Sequence, residues 1–148
     1  MIFNVMMVFI LPWIVGCFHL YKKDRLIIPL IGSFFSVIAF TVNELGFYLN
    51  FWKVNSSNST FSFLPFNLGI YPILASYLIF FIKRRKSPFL YIFLISLFTT
   101  LLEVVYVLTG KIIYGNDWNF IFTFFSYLFP YYLVYKYYVF LKRKNVLN

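Results

Sequence analysis

The sequence predicts an all-α integral membrane protein: one transmembrane domain over residues 1-148, built as a bundle of about five helices, with the N-terminus outside and the C-terminus cytoplasmic. Three observations predict this class: the apolar composition, five long apolar runs and a one-sided distribution of basic residues. Hydrophobic residues make up 62% of the chain and charged residues 11%, against roughly 45–50% and 25% in soluble domains. A single soluble core of this size cannot cover so much apolar surface, so lipid is the expected solvent.

The apolar runs predict helices rather than the strands of a closed barrel. Each run is close to the ~20 residues that a helix needs to cross about 30 Å of hydrocarbon. Barrel strands alternate polar and apolar residues, and these runs do not alternate. The predicted spans cover approximately residues 2-21, 26-52, 61-82, 89-110 and 119-141.

The basic residues predict the orientation of these spans, because cytoplasmic loops carry an excess of Lys and Arg. Most basic residues form three clusters on the predicted cytoplasmic side, and the opposite side has only Lys53 and Lys111. With five spans every basic cluster falls on one side, which predicts a multi-pass protein of the cell membrane. The three clusters are Lys22, Lys23 and Arg25, then Lys83, Arg84, Arg85 and Lys86, and finally Lys142, Arg143 and Lys144.

The same distribution limits the partners that the charge implies. A net charge of +9 can indicate nucleic acid, but here the charge lies at span ends and needs no such partner. We expect the lipid bilayer itself, anionic lipid headgroups at Lys83–Lys86 and, for a transport role, a homo-oligomer. With only Cys17 and His19 of their kinds, the chain predicts no disulfide, no metal site and no cofactor.

Two glutamates lie within the predicted spans of a chain that has only four acidic residues. Such a carboxylate is costly enough that it usually faces a bundle interior, a partner or a water-filled cavity. Glu44 lies nine residues before Lys53, and Glu103 lies eight before Lys111. Both are therefore roughly 12–14 Å inward from these basic anchors. Because spans two and four both run outward, the two carboxylates are expected to share one depth.

Other polar residues fall in the same outer half of the predicted bundle, whereas the inner half is almost wholly apolar. We therefore expect a polar cavity open toward the outer face. The alternative is that these side chains only hold helices together, at roughly 0.6 kcal/mol per hydrogen bond. The candidate site comprises Glu103, Glu44, Asn43, Asn67, Thr99, Thr100, Tyr106, Asn119 and Ser126.

The second half of the chain carries a recognisable pattern. It consists of Glu103 and Tyr106, the turn Tyr114-Gly-Asn-Asp-Trp-Asn119, and then Ser126 and Pro130. This pattern resembles an uncharacterised family of small multispanning membrane proteins from endospore-forming Gram-positive bacteria. The family usually has Asp on an earlier span, where this chain has Glu44. The resemblance covers roughly residues 22 to 140 and implies four to five membrane helices with no assigned reaction.

Spans two–three and four–five are also candidates for a parallel repeat, as in some transporters. In each pair the outgoing helix carries a glutamate near its end, Glu44 or Glu103, and the returning helix carries a proline.

Three functions are compatible with these observations. The first is a module that binds or conducts a small ligand, a cation or a proton in the outer polar cavity. The second is an intramembrane enzyme for lipid or isoprenoid substrates, with the two acids as general acid and base. The third is a structural or assembly protein of the cell or spore envelope. Because the sequence lacks a metal motif, a nucleophile elbow and a phosphate loop, it favours the first over an enzyme.

Overall fold

The computed structural model describes residues 5–54 and 59–147, without the side chains of residues 59–61, and this part of the chain is mostly helical. Five helices and two short strands follow one another within the described ranges. They are α1 (Val5–Tyr21), α2 (Ile28–Tyr48), β1 (Trp52–Val54), α3 (Ser59–Pro65, continuing as Phe66–Ile70 and Tyr71–Arg85), α4 (Pro88–Leu108), β2 (Ile112–Tyr114) and α5 (Phe120–Arg143).

Three of these helices are long and apolar enough to cross a membrane: Ile28–Tyr48, Ser62–Arg85 and Pro88–Leu108. The described part of α1 is a shorter apolar helix. Helix α5 has 24 residues but is less apolar, because it contains six tyrosines and Lys136. A mainly helical chain with helices long and apolar enough to span a membrane is confirmed. Membrane insertion, the orientation and the count of five crossings stay predictions.

Helix α3 forms the centre of the bundle. Its residues Ala75, Leu78 and Ile79 are fully buried. Aromatic rings of α2 and α5 pack beside it, and Phe35 stacks on Tyr131 with ring centroids 4.7 Å apart. Burial of this kind in a bilayer rests on close packing more than on the exclusion of water.

Helices α2 and α4 end in the same way, before the boundaries predicted at Trp52 and Gly110. A residue with positive φ, Asn50 or Gly110, follows each C-cap. The next amide then bonds back across the last turn, Phe51 N to Gly46 O at 2.9 Å and Lys111 N to Tyr106 O at 3.0 Å. This is the Schellman ending, in which a left-handed residue turns the chain sharply out of the helix.

The two strands that follow pair antiparallel around a two-fold axis. Lys53 lies opposite Ile113 at the centre, Trp52 lies opposite Tyr114, and Val54 lies opposite Ile112. Helices α2 and α4 begin and end sixty residues apart, at Ile28 and Tyr48 and at Pro88 and Leu108. The strands keep the same spacing. The chain therefore contains two equivalent units, α2–β1–α3 and α4–β2–α5, related by an axis through the centre of the ribbon.

Only the first unit carries an additional helix. Gly69 of α3 lets α1 approach so closely that an added Cβ would lie 2.3 Å from Val8 O and 2.6 Å from Phe9 Cα. Trp13 fastens the contact, with its Nε1 donating to Leu68 O at 2.7 Å. The position equivalent to Gly69 in the second unit is Phe129, whose side chain is exposed. A Phe ring at that position excludes the same close packing, so α1 can dock on α3 but not in the same way on α5.

Candidate functional site

Glu103, near the C-terminal end of α4, is the centre of a hydroxyl cluster. One carboxylate oxygen, Oε2, accepts a hydrogen bond from Tyr127 OH at 2.5 Å. The other, Oε1, accepts from Tyr114 OH at 2.8 Å and faces Thr123 Oγ1 at 3.4 Å. These three hydroxyls come from β2 and from the first two turns of α5. Bonds from neutral donors to an ionised acceptor are shorter and stronger than neutral ones.

The start of α5 is held so that its side chains reach Glu103. Asn119 is the N-cap, and its Oδ1 accepts from Ile121 N at 3.0 Å and from Phe122 N at 3.3 Å. An asparagine cap satisfies amides that otherwise have no partner in the helix. Trp118, just before the cap, donates from Nε1 to Thr123 Oγ1 at 2.8 Å. The cap and the indole together orient the first turn of α5 toward the carboxylate.

The hydrogens of this cluster all point toward Glu103. Tyr127 gives its hydrogen to the carboxylate, so Tyr71, 2.8 Å away, is the donor in the bond between the two phenols. On the other side Thr123 donates to Tyr114 OH at 2.9 Å, and Tyr114 donates to Glu103. Each hydroxyl has a single hydrogen to donate. The arrangement is therefore complementary to a carboxylate anion as it stands.

Tyr114, which lies in β2 and outside the candidate spans, remains a donor over a wide pH range. Burial raises the pKa of its phenol, and the nearby Glu103 charge raises the pKa further. Both effects disfavour the phenolate, since burial penalises charge and two like charges repel. Tyr114 therefore stays protonated and keeps donating to the carboxylate.

A cavity of about 190 Å³ opens beside Glu103, between α1, α3 and α4. Its lining includes Glu103 together with the rings of Phe66, Tyr71 and Tyr106. The Phe66 ring packs edge-on to Tyr106 at 5.0 Å and tilted to Tyr71 at 5.9 Å. Val8 of α1 completes the lining. In the part of the chain that the structure describes, the one salt bridge joins Lys83 and Asp24, so no basic side chain pairs with Glu103.

The structure brings some of the sequence-predicted residues to this cavity. Tyr106 and Thr99 line it with Glu103, and Thr99 Oγ1 lies 2.9 Å from the buried Tyr131 OH. Thr100 is on α4 too, but its hydroxyl bonds to Ser96 O of its own helix at 2.8 Å.

Other predicted residues lie elsewhere in the bundle. Asn43 and Asn67 form a separate buried pair, in which Asn43 Nδ2 donates to Asn67 Oδ1 at 2.6 Å. Ser126 donates to Thr123 O at 2.7 Å. Asn119 is a helix cap and does not reach the cavity as part of its lining.

Glu44 does not converge with Glu103. Its side chain is exposed on α2, and among the described residues it has no hydrogen bond or ion pair. It follows Asn43, which lies sixty residues before Glu103, so Asn43 and not Glu44 is the counterpart of Glu103 in the first unit. The bounds of the helices and strands recur at sixty residues, whereas the two glutamates that suggested a repeat are fifty-nine residues apart.

In the basic cluster predicted to meet lipid headgroups, Lys83 and Arg84 contact other side chains of the protein. Lys83 Nζ binds Asp24 Oδ2 at 2.5 Å and ties the α1–α2 connection to the end of α3. Arg84 packs with its guanidinium carbon 4.5 Å from the Phe80 ring centroid. Arg85 and Lys86 are exposed.

Sequence reasoning omitted three of the side chains that contact Glu103 or its network from the candidate set. They are Tyr114, which entered only as part of the turn motif, and Tyr71 and Tyr127, which had no assigned role. The available signal was the spacing from the cap: Thr123 and Tyr127 lie one and two turns after Asn119. That places them at the depth of a residue near the C-terminal end of α4.

Comparison with known proteins adds no identification, since no family model, no curated protein and no solved structure matches this chain.

Proposed function

We propose that the protein crosses the cell membrane five times, with its N-terminus outside, and binds a small organic cation in the Glu103 cavity. The observation that carries the proposal is a carboxylate set in an aromatic cavity without a basic partner among the described residues. An intramembrane acid is functional by default and calls for a counter-charge. The bound organic cation would supply this counter-charge.

The walls of the cavity favour an organic cation over a metal ion. Rings of Phe and Tyr attract ammonium groups through their negative faces, with about 0.5–2 kcal/mol per contact. A divalent metal requires several oxygen, nitrogen or sulfur ligands, and the described residues contain no group of three or more His, Cys, Asp or Glu side chains that could hold one. At about 30 Å³ per liquid water, the cavity has room for about six non-hydrogen atoms.

The polar contacts favour binding over conduction. The hydroxyl chain ends at Tyr71, and deeper in α4 the hydroxyls of Ser96 and Thr100 bond to carbonyls of their own helix. The next buried hydroxyl pair, Thr99 and Tyr131, is bonded at 2.9 Å, and within the described ranges no hydrogen bond joins this pair to Tyr71. A proton or ion route needs such a continuation.

An acid–base enzyme is supported less well by the same geometry. General acid–base catalysis needs a second group within reach of the reacting atom, and Glu44 is exposed on another face. The nearest ionisable groups to Glu103 are phenols that already donate to it.

Binding is testable on the full chain in nanodiscs, with tetramethylammonium as the probe and tert-butanol as its neutral counterpart. We expect tetramethylammonium to bind and Glu103→Gln to weaken binding at least about tenfold, which corresponds to about 1.4 kcal/mol. Glu44→Gln is the matched control, since it removes an exposed glutamate from the neighbouring helix. Equal loss in both variants, or equal binding of both probes, would refute the proposal.

Topology is testable by cysteine labelling in a Cys17→Ser background. We expect Asn116→Cys to react with an impermeant maleimide from outside and Asn145→Cys to react only after permeabilisation. Arg85 and Lys86 are then cytoplasmic and available to anionic headgroups. Labelling of both positions from the same side would exclude the proposed five spans.

A further inference from the structure

The two equivalent units do not carry equivalent open cavities. The Glu103 cavity lies between α3 of the first unit and α4 of the second. The two-fold axis relates this place to the contact between α2 and α5. A small cleft is present there, and it is lined by Ala39, Val42, Asn43, Ser126 and Pro130.

Five of the eight residues that line the first cleft have a counterpart in the Glu103 cavity at the sixty-residue spacing, whereas Phe35, Tyr71 and Tyr127 do not. Ala39, Val42 and Asn43 stand where the Glu103 cavity has Thr99, Leu102 and Glu103. Ser126 and Pro130 stand where it has Phe66 and Ile70. The two clefts are thus counterparts at the two interfaces between the units, which is where repeat proteins of membranes place their ligands.

The polar pair at the base of each cleft is also repeated. Asn43 contacts Asn67 at 2.6 Å in the first unit, and Glu103 contacts Tyr127 at 2.5 Å in the second. Both pairs join the outgoing helix to the returning helix of the same unit. The first pair is neutral and consists of two amides, whereas the second contains the carboxylate.

The surroundings of the two clefts differ in two ways: Met7 and Val8 of α1 line only the Glu103 cavity, and Trp52 packs against α2 in the first unit. The first cleft measures about 20 Å³ and the Glu103 cavity about 190 Å³. One turn outward from Asn43 is Gly46, where an added Cβ would lie only 2.0 Å from the Trp52 indole. The equivalent residues of the second unit are Tyr106 and Ile112, and both line the open cavity. In the first unit the indole therefore packs against α2 one turn beyond Asn43, at the position whose counterparts in the second unit border the open cavity.

The indole fills this space without a hydrogen bond. Trp52 is buried, and its Nε1 is the one buried side-chain nitrogen or oxygen in the described part of the chain that lacks a partner. It is held by ring contacts, including an edge contact with Trp118 at 4.8 Å. Moving the indole would therefore break no hydrogen bond of the side chain.

We infer that the Asn43–Asn67 cleft is a second ligand site, occluded by the Trp52 indole, and that Trp52 decides that this protein has one open site instead of two. Two amides offer both hydrogen-bond donors and acceptors and no charge. The second site is thus suited to a small uncharged amide or alcohol. The inference rests on the repeated geometry and holds whether or not the Glu103 cavity takes a cation.

Cysteine accessibility tests the occlusion in a Cys17→Ser background. Asn43→Cys and Glu103→Cys are compared with Trp52 present and with Trp52→Ile, which introduces the residue found at position 112. We expect a small methanethiosulfonate reagent to modify Glu103→Cys at a similar rate in both backgrounds. Asn43→Cys is expected to react at least about tenfold faster once Trp52 is replaced.

Ligand class is tested by saturation-transfer NMR with N-methylacetamide in nanodiscs. We expect binding to Trp52→Ile combined with Glu103→Gln, and loss of that binding when Asn43→Leu is added. The occlusion is refuted if the reagent still modifies Asn43→Cys slowly in folded protein after Trp52→Ile. It is also refuted if the modification is already fast with Trp52 present. If N-methylacetamide does not bind, or binds equally after Asn43→Leu, the ligand class is refuted. Failure of Glu103→Cys to react would count against the Glu103 cavity alone.

Discussion

Asn43 and Glu103 occupy the same place in two helices that begin and end sixty residues apart, and each contacts the returning helix of its own unit. The chemistry at this place differs: an amide pair in one unit, and a carboxylate with a phenol in the other. Of two positions that match in the fold, only one thus carries an acidic side chain. The charged copy also has the open cavity.

The bond from Tyr127 to Glu103 is expected to stabilise the bundle. Tyr127→Phe removes a donor to a charged acceptor and also leaves Tyr71 OH without its acceptor. We expect a loss of about 1.5–3 kcal/mol in the free energy of unfolding, measured by reversible unfolding in mixed micelles. Tyr137→Phe is the control, because Tyr137 stacks on Phe34 and has no hydrogen bond through its hydroxyl in the described contacts. An equal loss in the control would show that the bond contributes nothing specific.

Gly69→Ala is expected to displace α1. The new Cβ would meet backbone atoms of Val8 and Phe9 at 2.3 and 2.6 Å, and backbone cannot move aside as a flexible side chain can. Overpacking of this kind costs about 1–3 kcal/mol. The measurement is the free energy of unfolding together with the fluorescence of Trp13, whose indole bond to Leu68 O depends on the same contact. Phe129→Leu, at the exposed equivalent position, is expected to change neither the free energy of unfolding nor the Trp13 fluorescence. If Gly69→Ala also leaves both quantities unchanged, the close packing of α1 on α3 is contradicted.

The Asp24–Lys83 pair is expected to couple the α1–α2 connection to the end of α3. Both side chains are mostly buried, at 17% and 22% exposure, so water screens the pair less than a surface bridge. A double-mutant cycle with Asp24→Asn and Lys83→Met should give a coupling of about 1 kcal/mol that falls at high salt. The same cycle with Arg85→Met in place of Lys83→Met should give a value near zero. Equal coupling for the two basic residues would contradict a specific pair.

Stability is expected to fall at alkaline pH through Tyr114. Its folded-state pKa is raised above the unfolded value of about 10, so the unfolded chain loses the proton first as the pH rises. The stabilisation is therefore complete below about pH 10 and is lost above it. Tyr114→Phe should flatten this part of the profile of unfolding free energy against pH, whereas Tyr48→Phe, at an exposed position, should leave it unchanged. A profile unaltered by Tyr114→Phe would refute the assignment.

Most of the local structure follows from sequence patterns. The apolar runs place the helices because their length and lack of alternation are local properties. Asn119 and Gly110 mark a helix start and a helix end through their own backbone preferences. Glu103 stands out because a carboxylate within an apolar run is rare.

The partners of Glu103 could not be predicted in the same way. Tyr127 and Tyr71 lie in aromatic stretches whose composition is shared by belts, cores and lipid-facing surfaces. The strands β1 and β2 are three residues long each, too short for an alternating pattern to mark them. Their pairing is a contact between distant parts of the chain.

By itself, the sequence determined that this is a helical protein with segments apolar enough to span a membrane, and that Glu103 is a candidate for function. Only the tertiary structure decided that Glu103 corresponds to Asn43 rather than to Glu44, and that one of two equivalent clefts is open. The physical reason is that spacing along a chain fixes the face and depth of a residue on its own helix. Which side chain fills the space opposite, such as Trp52 over Gly46, depends on the packing of elements far apart in sequence.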